Sequence, residues 1–206
     1  MSSPGLIPTP AWRNRVYRSH KNPYIDRPWN QGDNVNLAVG QGDVMVTPLQ
    51  LARAYSALAN GGTLVRPHLG GRIVDVHGRT VERIKPPPVR HLHMSQETRS
   101  VILGGMHRAA QEPGGTSDAV FGGFPIPVAG KTGTAQREGS QDQSWYGGIA
   151  PYGKPQIVVT ATVERGGFGV ESAAPIVRAI MESYFHLNQG SAGSVNASAA
   201  RAAGPG

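Results

Sequence analysis

Residues 155–164, Pro-Gln-Ile-Val-Val-Thr-Ala-Thr-Val-Glu, constrain the fold more than any other stretch. Ile157, Val159, Ala161 and Val163 fall on one side of an extended chain, and Val158, Thr160 and Thr162 on the other, which predicts a strand. Just upstream, Ser144-Trp-Tyr-Gly-Gly-Ile-Ala-Pro151 predicts a second strand. Ala129-Gly-Lys-Thr-Gly-Thr-Ala-Gln136, approached by Pro125-Ile-Pro-Val, predicts a third. The connections between them, Arg137–Gln143 and Tyr152–Pro155, are short and turn-like. Strands joined this closely pair antiparallel, because parallel neighbours need a crossover of about a dozen residues or more. A three-stranded meander follows.

Helices are expected around it. Thr47-Pro-Leu-Gln50 has a cap, a proline at the first helical position and the glutamine of a capping box. Leu51, Tyr55 and Leu58, with Ala52 and Ala59, form the apolar stripe of that helix, and Asn60-Gly-Gly62 ends it. Ser95 opens a helix to about Gln111, with Val101, Ile102 and Met106 as its apolar side. Ser172 opens a last helix with Pro175 in its first turn. Ile176, Ile180 and Tyr184, beside Val177, Met181 and Phe185, give it a broad apolar face that should lie on the sheet. Ile73–Val76 and Thr80–Ile84 read as a hairpin across His77-Gly78. Residues 1–35 read as extended and loop-dominated, and the Gly, Ser and Ala from 188 to 206 as a disordered tail. The fold class is α+β, an antiparallel sheet with packed helices.

Several function classes drop out. The chain has no cysteine, so disulfides, thiolate nucleophiles and cysteine metal sites are absent. His91 and His93 alternate on a short stretch, but two ligands without a carboxylate at ligand spacing do not make a metal site. No metal or other cofactor is expected. The formal charge is +7, and Arg13, Arg15, Arg18, Lys21 and Arg27 face only Asp26 in the first thirty residues. Trp12, Tyr17, Tyr24 and Trp29 fall among them, yet no nucleic-acid docking motif accompanies them, so a solvated basic face is expected rather than a nucleic-acid partner. No run of about 18 apolar residues could span a membrane, and Met1-Ser-Ser-Pro-Gly lacks the apolar core of a signal peptide.

The central stretch carries the chemistry. Lys131, Thr132, Gly133 and Thr134 place a cation and two hydroxyls on an extended backbone. A phosphate loop would need glycine at position 125 and a following helix; Pro125 and a polar turn stand there instead. The alternative is the strand-borne Lys-Thr-Gly of serine enzymes that act on D-alanyl peptides or β-lactams. There, backbone N–H groups on a strand edge stabilise the tetrahedral oxyanion, and the lysine and hydroxyls hold the substrate carboxylate. Glycine lets the substrate backbone approach closely.

The neighbouring segments sharpen this. Lys131–Gln136, Ser144-Trp-Tyr-Gly-Gly148 with Ala150-Pro151, and Ala173-Ala-Pro-Ile176 resemble the end of a class B penicillin-binding protein transpeptidase domain, of the penicillin-binding protein 2 type. Gly5–Pro10, Asp33–Ala38 and Gly40-Gln-Gly-Asp43 through Ala52 resemble the segments before it. The resemblance spans roughly residues 4–187 and implies a β-lactamase/transpeptidase-like fold. It also implies a peptidoglycan D,D-transpeptidase whose ligands are stem peptides and β-lactams, whose partners are membrane proteins of cell elongation, and whose place is the outer face of the cell membrane.

By that resemblance Lys131 bridges the serine network and the substrate carboxylate. Thr132 and Thr134 bind the carboxylate through their hydroxyls, beside Gly133, and the Thr134 N–H forms half of the oxyanion hole. The chain departs from the family in one large respect. No serine is followed by lysine at the third position, and Ser194-Val-Asn196 matches Ser-x-Asn only in letters and out of order. Residues 1–187 therefore read as the C-terminal portion of a transpeptidase domain, inactive by itself. The absent half should supply helices that cover one sheet face, so the chain alone is expected to fold poorly. A non-catalytic cell-wall or partner-binding module, and a related D,D-carboxypeptidase or β-lactamase, remain as alternatives.

Overall fold

The computed structural model describes residues 4–137 and 139–187; the expected disordered tail lies outside them. The chain begins with α1 (Pro10–Ser19), α2 (Gln31–Ala38) and α3 (Pro48–Ala59). Four short strands follow, β1 (Thr63–Leu64), β2 (Arg72–Val74), β3 (Thr80–Arg83) and β4 (Arg90–His91). Then come α4 (Gln96–Gln111), α5 (Asp118–Phe121), the strands β5 (Ala129–Ala135), β6 (Gln143–Ala150) and β7 (Ile157–Val163), and finally α6 (Ala173–Tyr184).

The meander is present. β5, β6 and β7 pair antiparallel in that order, with Lys131 opposite Gly147 and Gly148 opposite Val159. Alternation along each strand sends Tyr146, Val159 and Ala161 to one face, where they pack with Phe121, Phe124, Val177 and Met181. The other face carries Ala129, Ile149 and Val158, packed against Tyr55, Leu58, Leu103 and Met106 of α3 and α4. The two central glycines of β6 let these layers reach the backbone. A Cβ on Gly147 would lie 2.6 Å from the Tyr55 ring, and one on Gly148 would lie 2.9 Å from the Met181 methyl. Full burial of Val177 and Met181 contributes about 1.5–3 kcal/mol each. The sheet thus has helices of this chain on both faces, contrary to the expectation that one face would be bare.

The helix caps follow the sequence, and the buried faces follow it less well. Thr47 Oγ1 accepts from Gln50 N at 3.2 Å while Gln50 Oε1 accepts from Thr47 N at 2.8 Å. Ser95 Oγ accepts from Thr98 N at 3.0 Å at the start of α4. On α4, however, Val101 and Ile102 point outward, and Leu103 and Ala110 are the buried residues. The helix is turned this way because its polar residues have partners on the inner side. The Arg99 guanidinium donates to the carbonyls of Leu58 and Ala59, which end α3, and His107 reaches Val128. On α6, Ala173, Ala174, Val177 and Met181 face the sheet, while Ile176, Ile180 and Tyr184 stay over 40% exposed at 44%, 42% and 47%. Ser172 does not cap this helix; its hydroxyl donates to Gly166 O at 2.7 Å. Ser144 of β6 takes the capping role, its Oγ accepting from Ala173 N at 3.1 Å.

Residues 4–35 are not loop throughout: α1 and the start of α2 lie there, joined by irregular segments. Thr9 Oγ1 accepts from Trp12 N at 3.1 Å with Pro10 in the first turn, and Asn30 and Asp33 form a capping box. The usual helical signal fails here because α1 buries a charge: its buried residue is Arg13. Arg13 pairs with Asp43 and lies 3.7 Å from Asp33, and Arg27 grips Asp33 with two bonds of 2.7 and 3.0 Å. The Arg27 hydrogen bonds, the Asn30 N–H and the Arg13 charge together lower the Asp33 carboxyl to about 2. The β2–β3 hairpin turns at Gly78 as expected, and both its strands are exposed. His91 and His93 are exposed, and no group of three or more potential metal ligands occurs among the described residues.

Candidate active site

The root of β5 is locked from three sides. Gln111, in the last turn of α4, donates through Nε2 to the carbonyls of Phe121 (3.1 Å), Phe124 (3.1 Å) and Ile126 (3.3 Å). Its Oε1 accepts from Val128 N at 2.7 Å. One side chain thereby satisfies four main-chain groups of the segment that enters the strand. The Val128 carbonyl accepts from His107 Nδ1 at 2.9 Å, which places the ring proton on that nitrogen, and the ring stacks on Tyr152 at 4.4 Å. Beneath Gly130 lies the Tyr146 hydroxyl, only 2.0 Å from where a Cβ would stand, so this position admits glycine alone. That hydroxyl pairs with Ser117 Oγ at 3.0 Å, and burial pushes the phenol well above its usual range, so it stays neutral.

Beyond Gly130 the strand opens. β6 pairs with one edge of β5, so main-chain groups of alternate residues point to the other. Gln41 marks which ones: its Nε2 donates to Thr134 O at 2.9 Å, and its Oε1 accepts from Gln136 N at 3.3 Å. In a strand the N–H and C=O of one residue point to the same side. The Thr134 N–H therefore shares the open edge with its carbonyl.

Lys131 Nζ folds onto this edge, donating to Thr132 O at 3.0 Å and Thr132 Oγ1 at 3.1 Å. Thr132 Oγ1 in turn donates to Thr116 Oγ1 at 3.3 Å. Gly133 is squeezed from both faces. A Cβ there would lie 3.1 Å from Trp145 Cβ, and Gly169 packs on its backbone so closely that a Cβ on Gly169 would come within 2.7 Å of Gly133 O. A groove of about 500 Å³ separates the strand tip from the 39–46 segment, lined by Gln41, Val44, Met45, Leu51, Thr134 and Trp145 among others.

Lys131 Nζ, Thr132 and the Thr134 main chain therefore meet at the open edge, joined by Thr116 and Gln41, while Gly133 between them turns its main chain to β6. The edge offers an ammonium group, hydroxyls and an outward N–H, a set suited to a carboxylate and an adjacent oxyanion. Sequence reasoning missed Gln111, His107 and Thr116. Their partners lie 10 to 21 residues away on other elements, beyond the reach of any helical or strand period. Gln41 stands in the Gly-Gln-Gly run, and positive φ at Gly40 (76°) and Gly42 (77°) presents it to the strand.

Comparison with known proteins gives the chain a family. Residues 16–182 match the family model described as penicillin binding protein transpeptidase domain. Peptidoglycan D,D-transpeptidase MrdA of Haemophilus influenzae is 32% identical over 203 residues, covering 89% of this chain and 29% of the relative. Among solved structures, Pseudomonas aeruginosa PBP2 in complex with WCK 5153 superposes with a TM-score of 0.71 at 31% identity, covering 87% of this chain and 38% of that one. Helicobacter pylori PBP2 in complex with MreC also superposes with a TM-score of 0.71, at 25% identity and over 90% of this chain and 32% of that one. The chain spans less than a third of the length of the Haemophilus relative. With the matched model covering most of its residues, the chain belongs to the penicillin-binding protein transpeptidase family.

Proposed function

We propose that this chain supplies the substrate-binding strand of a peptidoglycan D,D-transpeptidase, with residues 1–187 as the C-terminal portion of the catalytic domain. The observation that carries the reading is the shared open edge of β5, where Lys131 Nζ, the Thr132 hydroxyl and the Thr134 main chain converge. In this reading the terminal carboxylate of a D-alanyl-D-alanine stem peptide binds Lys131 and the hydroxyls of Thr132 and Thr134. The Thr134 N–H donates to the oxygen that becomes an oxyanion when a serine attacks the penultimate carbonyl. Collapse of that intermediate breaks the peptide bond, releases D-alanine and leaves the acyl group on the serine. An acceptor amine then takes the acyl group and frees the serine. A β-lactam acylates the same serine by opening its ring.

The attacking serine and its lysine are not among these 206 residues, since no Ser-x-x-Lys occurs. The chain supplies binding and charge stabilisation, and the nucleophile belongs to additional sequence. Because the Helicobacter relative is described in complex with MreC, membrane proteins of cell elongation are the partners we propose, at the outer face of the cell membrane. Among the described residues no helix is long and apolar enough to cross a membrane.

The test is a graft. Residues 4–187 replace the matching part of the Haemophilus influenzae relative, and labelling by fluorescent penicillin is measured. The graft should label, and Lys131→Ala within it should slow labelling by about 100-fold, the scale of losing one preorganised electrostatic group. A folded graft that does not label would favour a non-catalytic binding module instead.

A further inference from the structure

We infer that Gln41 is a positioning residue that closes the open edge of β5 just beyond Thr134 and so fixes the register in which an extended ligand can pair with that edge. The inference rests on the reading of β5 as the ligand-binding strand. It starts from the two bonds of the Gln41 amide, to Thr134 O at 2.9 Å and from Gln136 N at 3.3 Å. An antiparallel partner strand would contribute one N–H and one C=O to those same two groups. The side-chain amide of Gln41 thus stands in for the N–H and the C=O that two successive edge-facing residues of such a strand would supply.

Two consequences follow for a ligand that adds itself to the edge as a strand. Its ladder cannot continue past the Thr134 N–H, because the Thr134 carbonyl and the Gln136 N–H are already taken. Thr134 is also held at its carbonyl by Gln41 while the preceding peptide is held by the ladder to β6, so the Thr134 N–H between them keeps one direction. Without Gln41 the tip would carry two more free edge groups, and a peptide could slide by two residues and still satisfy its backbone.

Gln41 is itself built in from the far side of the molecule. Gly40 and Gly42 flank it with positive φ, and Asp43, two residues on, pairs with the buried Arg13 of α1. Leu6 and Met45 exchange backbone bonds of 2.7 and 3.0 Å, fastening the same segment to the start of the chain. This ties residues 5–46, which hold none of the Lys-Thr-Gly groups, to the geometry of the strand tip.

The experiment compares the full chain with Gln41→Ala and Gln41→Glu. Amide exchange at Gln136 and Thr134 is read by NMR, and binding of an N-acetylated D-alanyl-D-alanine peptide by chemical-shift titration. Gln41→Ala should speed Gln136 exchange at least tenfold, weaken the peptide about tenfold and leave the melting temperature nearly unchanged. Gln41→Glu keeps the acceptor for Gln136 but loses the donor to Thr134. It should therefore preserve Gln136 protection while still weakening the peptide, a split that a merely structural role would not produce.

Unchanged Gln136 exchange in Gln41→Ala overturns the inference. So does equal peptide affinity in all three proteins. If the unmodified chain binds no peptide, the ligand-binding reading of β5 fails, and the exchange data alone then decide whether Gln41 closes the edge.

Discussion

At the root of β5, Val128 and Ala129 are fully buried and Gly130 is buried, and the main chain leading in is held by Gln111 and His107. At the tip, Lys131 is exposed, Thr132 to Ala135 are half-buried, and the edge is held by the Gln41 amide and the short Lys131–Thr132–Thr116 chain. The same strand is thus anchored at one end and left open at the other. The difference explains how a site can be precise without being closed. Buried contacts set the direction of the backbone, and the ladder with β6 carries that direction outward to groups that remain free for a ligand.

The comparison can be broken most severely at the root. Gly130→Ala places a methyl group 2.0 Å from the Tyr146 hydroxyl in a buried site. The expected cost is about 3 kcal/mol or more, at the top of the range for overpacking, and thermal unfolding should lose its cooperativity. Arg13→Met tests the support of the tip from the other side. It leaves Asp33 and Asp43 facing each other without their shared cation, with an expected loss of about 3 kcal/mol in urea unfolding and faster exchange at Gln136. Gln111→Ala removes a single side chain but strands four main-chain groups. A loss of about 2 kcal/mol is expected, with amide exchange accelerating at Val128 before it does at Thr134.

Acid supplies a graded version of the Arg13 experiment. The Asp33 carboxyl lies at about 2 in the folded chain against 3.8 in its absence. A depressed folded value means that its stabilisation is complete above the unfolded value and fades as pH falls from about 4 toward 2. The stability difference between the chain and Asp33→Asn should therefore be full and level above about pH 5 and shrink through that window, as read by urea unfolding at each pH. The smallest effect on stability belongs to the tip. Lys131→Ala should change unfolding by no more than about 0.5 kcal/mol, as for other exposed positions, while abolishing the shift changes caused by an acetylated D-alanyl-D-alanine peptide. Loss of stability comparable to Gln111→Ala would erase the distinction between root and tip.

Much of this arrangement can be read in the chain before any coordinates. The alternation from Ile157 to Val163 and the Thr47-Pro-Leu-Gln50 and Ser95 caps are local signals, and local signals act through bonds between near neighbours. They determined the meander, α3, α4 and the strand that bears Lys131 to Thr134. The helices of residues 10–38 escaped because their buried residues are Arg13 and Asp33, and a charge on an inward face breaks the apolar period that announces a helix.

Tertiary structure alone decided the rest. It chose Leu103 and Ala110 over Val101 and Ile102 as the buried side of α4. It also set Ser144 rather than Ser172 at the start of α6, and brought Gln41 to Thr134 across 93 positions. In each case several residues were chemically able to fill the role. The winner was selected by where a partner's lone pair or N–H stood in space, and sequence spacing does not record that.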